Sequence, residues 1–258
     1  MVIDFHDEKN RFSYTNRIAD VSWTNFIKSI VPIQEISAAI DIGCGGGIYT
    51  KALSDMGISS VIGLDFSEAM LACAAENCKE YQNIFFKRGR ALHTGLEGNR
   101  FDLILERALI HHIEDLSSCF KEAYRLLRNN GYFIVQDRTP DDCLLEGDNS
   151  HIRGHFFEPF PKLIEKETNR RHQSKNVMEM LKECGFREIQ EMQLWETRKV
   201  YPHKTELLQD LRNRTGRSIL QELDDNELKK LINFIDIQVP LDHTIVEKDR
   251  WTIWWAIK

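Results

Sequence analysis

The stretch AAIDIGCGGGIYT, residues 38–50, places four of the chain's 14 glycines within five positions. Glycine loses more conformational entropy on folding than any other residue, so this cluster indicates a backbone that bends sharply or lies close to a ligand. The apolar run before the glycines predicts a strand, and the segment after them predicts a helix. We therefore expect a strand, a glycine loop and a helix, with a bound molecule beside the loop.

Short apolar runs and helical periodicity alternate from about residue 36 to residue 137. Such alternation implies right-handed crossovers and a parallel sheet covered by helices on both faces. Five strands are predicted there, SAAIDI, SVIGLD, NIFFKRG, FDLILE and YFIVQD, and two follow later, FREIQEMQLWE and RWTIWWAIK. Asn129-Asn130-Gly131 is predicted to form the turn before YFIVQD. We therefore predict an α/β fold with a doubly wound, mostly parallel sheet of seven strands. Ligands of such sheets lie outside the carboxyl ends of the strands.

The pattern changes after Asp137. Few apolar positions recur periodically in the next 36 residues, which we expect to form an irregular excursion, while later segments again have helical periodicity. We interpret the excursion and a helical insertion between the last two strands as a lid over a substrate. The predicted organisation is an N-terminal helical cap at 1–35, a core at 36–137, the excursion at 138–173, and a completion of the sheet at 174–258 with the insertion at about 199–240.

The composition is that of a globular protein, with 42% hydrophobic and 29% charged residues and a net charge of −6. This acidic balance argues against a broad electrostatic surface for nucleic acid. No apolar run approaches the roughly 20 residues of a membrane helix, and the first residues lack the apolar centre of a signal peptide. The six cysteines are scattered without a CxxC pair, which indicates reduced thiols and no zinc site. We therefore expect a cytoplasmic protein without a metal or a membrane partner.

Two ligand classes fit a glycine loop between a strand and a helix. A dinucleotide site needs the spacing G-x-G-x-x-G, but Ile48 occupies the position of its third glycine. The observed spacing, an acid followed by G-x-G-x-G, resembles motif I of the class I S-adenosylmethionine (SAM)-dependent methyltransferases. The resemblance covers about residues 36–137 and implies a Rossmann-like, SAM-binding core. By this resemblance, the residues that hold the amino acid end of SAM are Asp41, Gly43, Cys44 and Gly45.

The resemblance continues after the second and third strands. Asp65 closes the second strand, where a carboxylate can accept hydrogen bonds from both ribose hydroxyls, and Phe66 would lie against the adenine. The alternative role for Asp65 is to cap the next helix, in competition with Ser67. Family members often have Gly-Asp-Ala after the third strand, but this chain has Gly-Arg-Ala. Since arginine is only a donor, adenine contact at Arg90 and Ala91 is expected from the backbone alone.

The stretch FDLILERALIHHIEDL, residues 101–116, looks like the family's fourth strand with its following loop and histidine turn. The resemblance places Glu106 and Arg107 beside the cofactor, and His111 and His112 near the transferred methyl group. Histidine accepts a proton near neutral pH, so one of the two is our candidate base. The alternative is that one histidine caps the following helix while the other packs or binds backbone. By family analogy, Tyr14 in the N-terminal segment also contacts SAM.

Basic and aromatic residues are interleaved in the excursion. We expect Arg138, Arg153 and His155 to bind the acceptor, because a local excess of bases suits an acidic small molecule; the alternative is a solvated charged face. The favoured function is transfer of a methyl group from SAM to an oxygen or nitrogen of a small molecule, with S-adenosylhomocysteine as product. The alternatives are a tRNA nucleobase methyltransferase, an NAD-type oxidoreductase, and a SAM-binding protein without transferase activity.

Overall fold

The computed structural model describes residues 18–239 and 243–258. Its strands form one seven-stranded sheet in the order β3-β2-β1-β4-β5-β7-β6. The strands are β1 Ala38–Ile42, β2 Ser60–Asp65, β3 Ile84–Arg88, β4 Phe101–Arg107, β5 Leu127–Asp137, β6 Arg187–Tyr201 and β7 Ile245–Ile257. Strands β1 to β5 pair in parallel, and β7 is antiparallel to β5. The predicted doubly wound, mostly parallel sheet of seven strands is confirmed.

The α-helices alternate with the first strands and then cluster in the second half of the chain. They are α1 Val21–Ile30, α2 Ile48–Asp55, α3 Glu68–Asn77, α4 Leu116–Leu126, α5 Pro140–Cys143, α6 Lys162–Thr168, α7 Ser174–Glu183, α8 Lys204–Arg212 and α9 Asp225–Gln238. Several begin at a side-chain cap: the Ser67 hydroxyl accepts from Met70 N–H at α3, and Asp115 accepts from Ser118 N–H at α4. Such caps satisfy backbone donors that a helix leaves free at its start.

Alternate residues of the central strands pack into two separate cores. On one face, Ile40 and Ile104 pack with Phe120 of α4 and Leu181 of α7. On the other face, Ala39, Val61 and Leu103 pack with residues of α1 and α2, including Trp23 and Leu53. Burial on both faces explains why these strands have continuous apolar runs. The prediction of helices on both faces is confirmed.

Strand β5 begins earlier than the sequence suggested. Asn129-Asn130-Gly131 was expected to be a turn before the strand YFIVQD, but these residues lie within β5. Phe101 pairs with Leu127 and Leu103 pairs with Tyr132, so β5 uses extra residues opposite a short piece of β4. Asn130 has a φ of +65°, a conformation that asparagine tolerates better than most residues. The turn-forming residues therefore make a bulge inside the strand.

The chain forms two compact units. The sheet unit has described residues 18–137, 172–194 and 252–258, and the helical unit has described residues 138–171, 195–239 and 243–251. The helical unit has its own apolar core, which includes Phe156, Leu163, Leu211, Leu231 and Ile245. Within the described ranges, no helix is long and apolar enough to cross a bilayer.

The excursion is more regular than expected. Residues 138–173 contain α5, α6 and a 3₁₀ helix, Ile152–Phe156, instead of irregular chain alone. The start of α5 is fixed by a capping box in which Thr139 and Asp142 each accept from the other's backbone N–H. These helices are too short to give a strong periodic signal, which explains the difference. A role of this segment as a lid remains a prediction.

Candidate cofactor site and active site

The strand order reverses at the centre of the sheet. β1 lies between β2 and β4, and the chain fills the β2 side before it returns to build β4 and β5. In open α/β sheets, the crevice for a ligand lies beyond the carboxyl ends of the strands at such a switch point. Here the loop 43–47 leaves β1, and the 3₁₀ turn Ile110–His112 follows β4. The sequence motifs therefore converge on the expected edge.

The glycine loop is shaped by backbone conformation and by its neighbours. Gly43 and Gly47 have φ values of +77° and +81°, which disfavour any residue with a Cβ atom. A Cβ atom at Gly43 would lie 2.9 Å from Leu109 Cδ1, and one at Gly47 would lie 3.1 Å from Ala74 Cβ. These two glycines thus permit close packing within the protein. The N–H groups of Gly43 and Cys44 both donate to the Leu64 carbonyl, at 2.7 and 3.0 Å.

Asp65 joins the glycine loop to the start of α3. Its Oδ2 accepts from the Gly45 N–H at 2.9 Å, and its Oδ1 accepts from the Ser67 N–H at 2.9 Å. Asp65 therefore makes local backbone contacts at the start of α3, as its alternative role implies. The side chain that caps α3 is nevertheless Ser67. Each carboxylate oxygen can accept a further hydrogen bond, so these contacts leave acceptor capacity for ribose hydroxyls. Phe66 beside it is 50% exposed, and its contact with adenine remains a prediction.

Asp41 is buried at the carboxyl end of β1. The Thr50 hydroxyl of α2 donates to its Oδ2 at 2.7 Å. Burial raises the pKa of Asp41 to about 6, although the hydrogen bond from Thr50 opposes this shift. A buried carboxylate that lacks full compensation is suited to a cationic group such as an ammonium. A contact between Asp41 and SAM remains a prediction.

Glu106 and Arg107 contact different neighbours at the end of β4. Glu106 is fully buried against α4, where the Cys119 thiol donates to its carboxylate at 3.4 and 3.5 Å. Burial raises the pKa of Glu106 to about 8. Arg107 donates from Nε to Gln136 Oε1 at 3.2 Å, and its guanidinium lies 4.0 Å from the centre of the Tyr49 ring. A position of Glu106 and Arg107 beside the cofactor remains a prediction.

The remaining predicted cofactor contacts lie after β3 and at the N-terminus. The Arg90 side chain is exposed, and its carbonyl accepts from the His93 N–H at 3.0 Å. Ala91 packs against the core that includes α4. A backbone contact from Arg90 and Ala91 to adenine therefore remains a prediction. Tyr14 lies outside the described residues.

His111 and Asp137 form a buried pair between the ends of β4 and β5. His111 Nδ1 lies 2.8 Å from Asp137 Oδ2 and 3.0 Å from Oδ1, and the His111 N–H donates to Oδ2 at 3.2 Å. The side chains are 13% and 1% exposed. Because an ionised carboxylate only accepts, the imidazole proton lies on Nδ1, which leaves Nε2 as the acceptor. This arrangement orients an imidazole to take a proton.

The other histidine of the turn does not share this contact. The His112 and His111 ring centres are 4.0 Å apart, and the His112 N–H donates to the Leu109 carbonyl at 2.9 Å. His172 fixes the turn from the other side, since its Nε2 lies 2.9 Å from the carbonyl oxygens of both Ile110 and Ile113. The sequence motifs assign no role to Asp137, although its position at the end of β5 is an available signal, and they do not predict the contact of His172 with this turn.

The three predicted acceptor-binding residues lie in the helical unit with different partners. Arg138 donates from Nη2 to Asp249 Oδ2 at 2.7 Å, and its guanidinium lies 4.2 Å from the Trp251 ring centre. Arg153 approaches the same Asp249, with its Nε 3.6 Å from Oδ1. His155 Nε2 lies 3.1 Å from the Asp148 carbonyl oxygen. The structure therefore brings the two arginines together around one carboxylate and gives His155 a separate contact.

Comparison with known proteins supports the reading of the sheet unit. Residues 40–135 match the family model described as a methyltransferase domain. The chain is 32% identical over 119 residues to demethylmenaquinone methyltransferase from Staphylococcus epidermidis, which covers 45% of this chain and 49% of that protein. It is 28% identical over 104 residues to ubiquinone biosynthesis O-methyltransferase from Pelagibacter ubique, covering 40% of this chain and 42% of that protein. The chain thus spans about half the length of the curated relatives it matches.

A solved structure shares the fold over most of the chain. A putative methyltransferase from an antibiotic biosynthesis pathway of Anabaena variabilis superposes with a TM-score of 0.71 and 18% identity, covering 92% of this chain and 98% of the other. The fold, the glycine loop and the strand-end carboxylates are those that the resemblance implies. The predicted resemblance to the class I SAM-dependent methyltransferases is confirmed for residues 40–135, which match the methyltransferase domain.

Proposed function

We propose that the protein transfers a methyl group from SAM to an oxygen or nitrogen atom of a small-molecule acceptor. The observation that carries the proposal is the hydrogen bond between Asp65 and the Gly45 N–H at the switch point of the sheet. It fixes a bare stretch of backbone and a carboxylate side by side, as the amino acid and ribose parts of SAM require. The proteins named above act on quinone precursors by their names, which supports a small-molecule acceptor.

The residues present fit SAM in charge as well as in shape. Asp41 and Asp65 are buried carboxylates, at 2% and 7% exposure, and they lie at the ends of neighbouring strands. SAM carries a positive sulfonium and an ammonium, which favour such a site, whereas a pyrophosphate would be repelled. When bound, SAM supplies a methyl carbon that is already activated for displacement. The protein's part is to align the acceptor with that carbon, an effect that can contribute roughly 7–11 kcal/mol.

We assign the proton transfer to His111. Asp137 holds its Nδ1–H, which orients Nε2 to accept a proton from an acceptor hydroxyl or amine, and Asp137 stabilises the imidazolium that results. His172 holds the backbone of the turn and so fixes the ring's position. We assign acceptor recognition to the helical unit, where Arg153 and His155 are buried and the side chain of Arg138 is 11% exposed.

The test begins with binding. SAM and NAD are titrated separately into the protein by calorimetry, and we expect heat from SAM alone. Release of S-adenosylhomocysteine is then measured with pools of small molecules and with tRNA. Turnover with a small-molecule pool supports the proposal. Binding of SAM without turnover on any pool indicates a SAM-binding protein, and binding of NAD alone would overturn the assignment.

Three substitutions locate the base. His111→Gln is expected to lower turnover by about 10²- to 10⁴-fold, with the affinity for SAM unchanged. The exposed His93→Gln is the control and should leave turnover unchanged. If His112→Gln gives the loss instead, the assignment of the base to His111 is wrong.

A further inference from the structure

The helical unit contains a partly buried group of positive side chains, which we call the arginine cluster. It consists of four arginines around two carboxylates: Arg138, Arg153, Arg170, Arg171, Glu167 and Asp249. Glu167 is fully buried and Asp249 is 3% exposed. Arginine stays charged under all ordinary conditions, so the cluster places several permanent positive charges in a region with little water.

Hydrogen bonds from other residues already occupy both carboxylates of the cluster. Glu167 Oε1 accepts from Arg171 Nη2 at 2.9 Å, and Oε2 accepts from Arg170. Asp249 Oδ2 accepts from Arg138 Nη2 at 2.7 Å. Burial alone raises the pKa of Glu167, but the surrounding arginines outweigh burial and hold that pKa well below its usual value. The carboxylate is therefore ionised and well compensated.

Arg153 is the member that lacks such bonds. Its side chain is 7% exposed, and its nearest carboxylate contacts are both 3.6 Å long, from Nη1 to Glu167 Oε1 and from Nε to Asp249 Oδ1. Nε and Nη1 are buried with no hydrogen-bond partner, and so is Nε of Arg170. A buried donor without a partner is unfavourable, and more so when it is charged. Arg153 thus presents unused, charged donors in the interior.

A second cluster in the same unit shows that the fold can bury arginine fully bonded. Arg217 is 2% exposed; it donates to Glu247 at 2.7 and 2.9 Å and to Asp210 at 2.6 Å. Arg198 donates to Glu247 at 2.8 Å and to the Thr215 carbonyl at 2.7 Å. Two guanidinium groups face two carboxylates there, and each guanidinium has at least one carboxylate contact of 2.8 Å or less, although Arg198 Nη1 lies 3.4 Å from Asp210 Oδ2. The long contacts of Arg153 are therefore a local property and not a general feature of the unit.

We propose that Arg153 and Arg170 bind an oxyanion, a carboxylate or a phosphate, carried by a small molecule. The bound anion accepts hydrogen bonds from the unused guanidinium donors, which are suited to both groups. In a further step that rests on the proposed function, this anion is the acidic group of the methyl acceptor. The site accounts for donors that the protein itself leaves unbonded.

The test measures thermal stability with added anions. The protein is titrated with sodium phosphate and, separately, with sodium acetate, and sodium chloride at matched ionic strength serves as the baseline. We expect a saturable rise in Tm of about 5 °C above that baseline at high occupancy. The anion with the larger effect identifies the group recognised. No rise above the chloride baseline with either anion would overturn the proposal.

Matched variants locate the effect. Arg153→Met should abolish the anion-dependent rise, whereas Lys166→Met, at an exposed lysine of α6, should retain it. Without anion, Arg153→Met should lose less stability than Arg217→Met, because the contacts of Arg153 with Glu167 and Asp249 are 3.6 Å long. A lower Tm together with an unchanged anion response would show a structural ion pair and overturn the proposal. If Arg153→Met does not fold, Arg170→Met takes its place with the same two outcomes.

SAM titration into the same variants separates this inference from the proposed function. Arg153→Met should bind SAM with wild-type affinity. A wild-type protein that responds to phosphate or acetate but does not bind SAM would leave the anion site standing and refute the proposed function. Binding of SAM without any anion response would refute the site alone.

Discussion

The two units bury carboxylates in opposite ways. At the carboxyl ends of the central strands in the sheet unit, Asp41 and Glu106 have hydroxyl and thiol partners, and burial raises their pKa values to about 6 and about 8. In the helical unit, Asp210 contacts Lys199 and Arg217, and Glu247 contacts Arg217; these cations outweigh burial and hold both pKa values below the usual range.

This difference has opposite consequences for stability. A carboxyl whose pKa is raised by folding favours the folded state at low pH and opposes it as pH rises through the raised value. A carboxylate whose pKa is lowered contributes stability at neutral pH, which is lost in acid. The first arrangement leaves buried carboxylates that a bound cation can stabilise. In the second, the protein's own cationic side chains already stabilise the carboxylates. The strand ends are thus prepared for a ligand, whereas the Arg217 pairs are complete.

The largest expected effect is on the free energy of unfolding and concerns the buried carboxyl of Glu106 in the sheet unit. Glu106 keeps its proton in the folded state up to about pH 8 and loses it near 4.5 when unfolded. Folding is therefore penalised as pH rises between these values, by at most about 5 kcal/mol. In urea unfolding at pH 5 and pH 9, the wild type should lose stability at the higher pH, and Glu106→Gln should not.

Glu122→Gln is the control for that measurement. The hydrogen bond from Arg125 lowers the pKa of Glu122 to about 2, so this residue contributes stability above about pH 4.5. Glu122→Gln should therefore be less stable than the wild type at both pH values and keep the wild type's decline between them. An identical decline in Glu106→Gln and the wild type would show that Glu106 is not the group responsible.

The next prediction concerns the buried carboxylates of the helical unit that Arg217 compensates. Arg217→Met leaves Asp210 and Glu247 buried with fewer partners, and we expect a loss of about 3–5 kcal/mol in the free energy of unfolding. Arg153→Met should lose less, since its contacts with Glu167 and Asp249 are 3.6 Å long. Urea denaturation at pH 7 compares the two directly. Equal losses would mean that the two clusters are energetically alike, contrary to their hydrogen-bond geometry.

A smaller effect concerns the cofactor. Asp65→Asn keeps the shape of the side chain but removes its charge and half of its acceptor capacity, and it weakens the bond to Gly45. We expect the affinity for SAM to fall about 100-fold, the equivalent of one or two charge-assisted hydrogen bonds. Calorimetric titration measures it, with the exposed Glu68→Gln as the control. Wild-type affinity in Asp65→Asn would refute the ribose contact.

The smallest expected effect is on the affinity for SAM and concerns the contact of Phe66 with its adenine. Phe66→Ala should weaken SAM binding about 10-fold through the loss of a stacked ring, with little change in stability because the ring is half exposed. Phe85→Ala is matched, since Phe85 is 56% exposed on β3 and no contact to SAM is assigned to it. Equal affinities in the two variants would remove Phe66 from the site.

Local patterns predicted much of the sheet unit. Ala38–Ile42 and Ser60–Asp65 are strands as expected, and Ser67 caps α3. These elements depend on neighbouring residues: an apolar run, a capping hydroxyl and a glycine where φ is positive. At residues 129–131 the neighbouring residues alone predicted a turn, and this prediction is wrong. The residues form a bulge, because β5 pairs with β4 on each side of them.

The parts that sequence did not predict depend on distant residues. His111 meets Asp137 across 26 positions, and His172 reaches the carbonyl of Ile110 across 62. Glu167 and Asp249 resemble surface charges in sequence but are buried by the packing of the helical unit. No local periodicity encodes such partners, so the histidines were identified through their motif and their orienting residues were missed.

The bond between Asp65 and the Gly45 N–H also bears on the rate and the entropy of binding. The loop is tied to the second strand by the protein itself, so its backbone is ordered before any ligand arrives. A flexible loop would lose conformational entropy when the ligand binds. Here that entropy is lost on folding instead. Association of the cofactor should consequently be fast and accompanied by little loss of backbone motion in this segment.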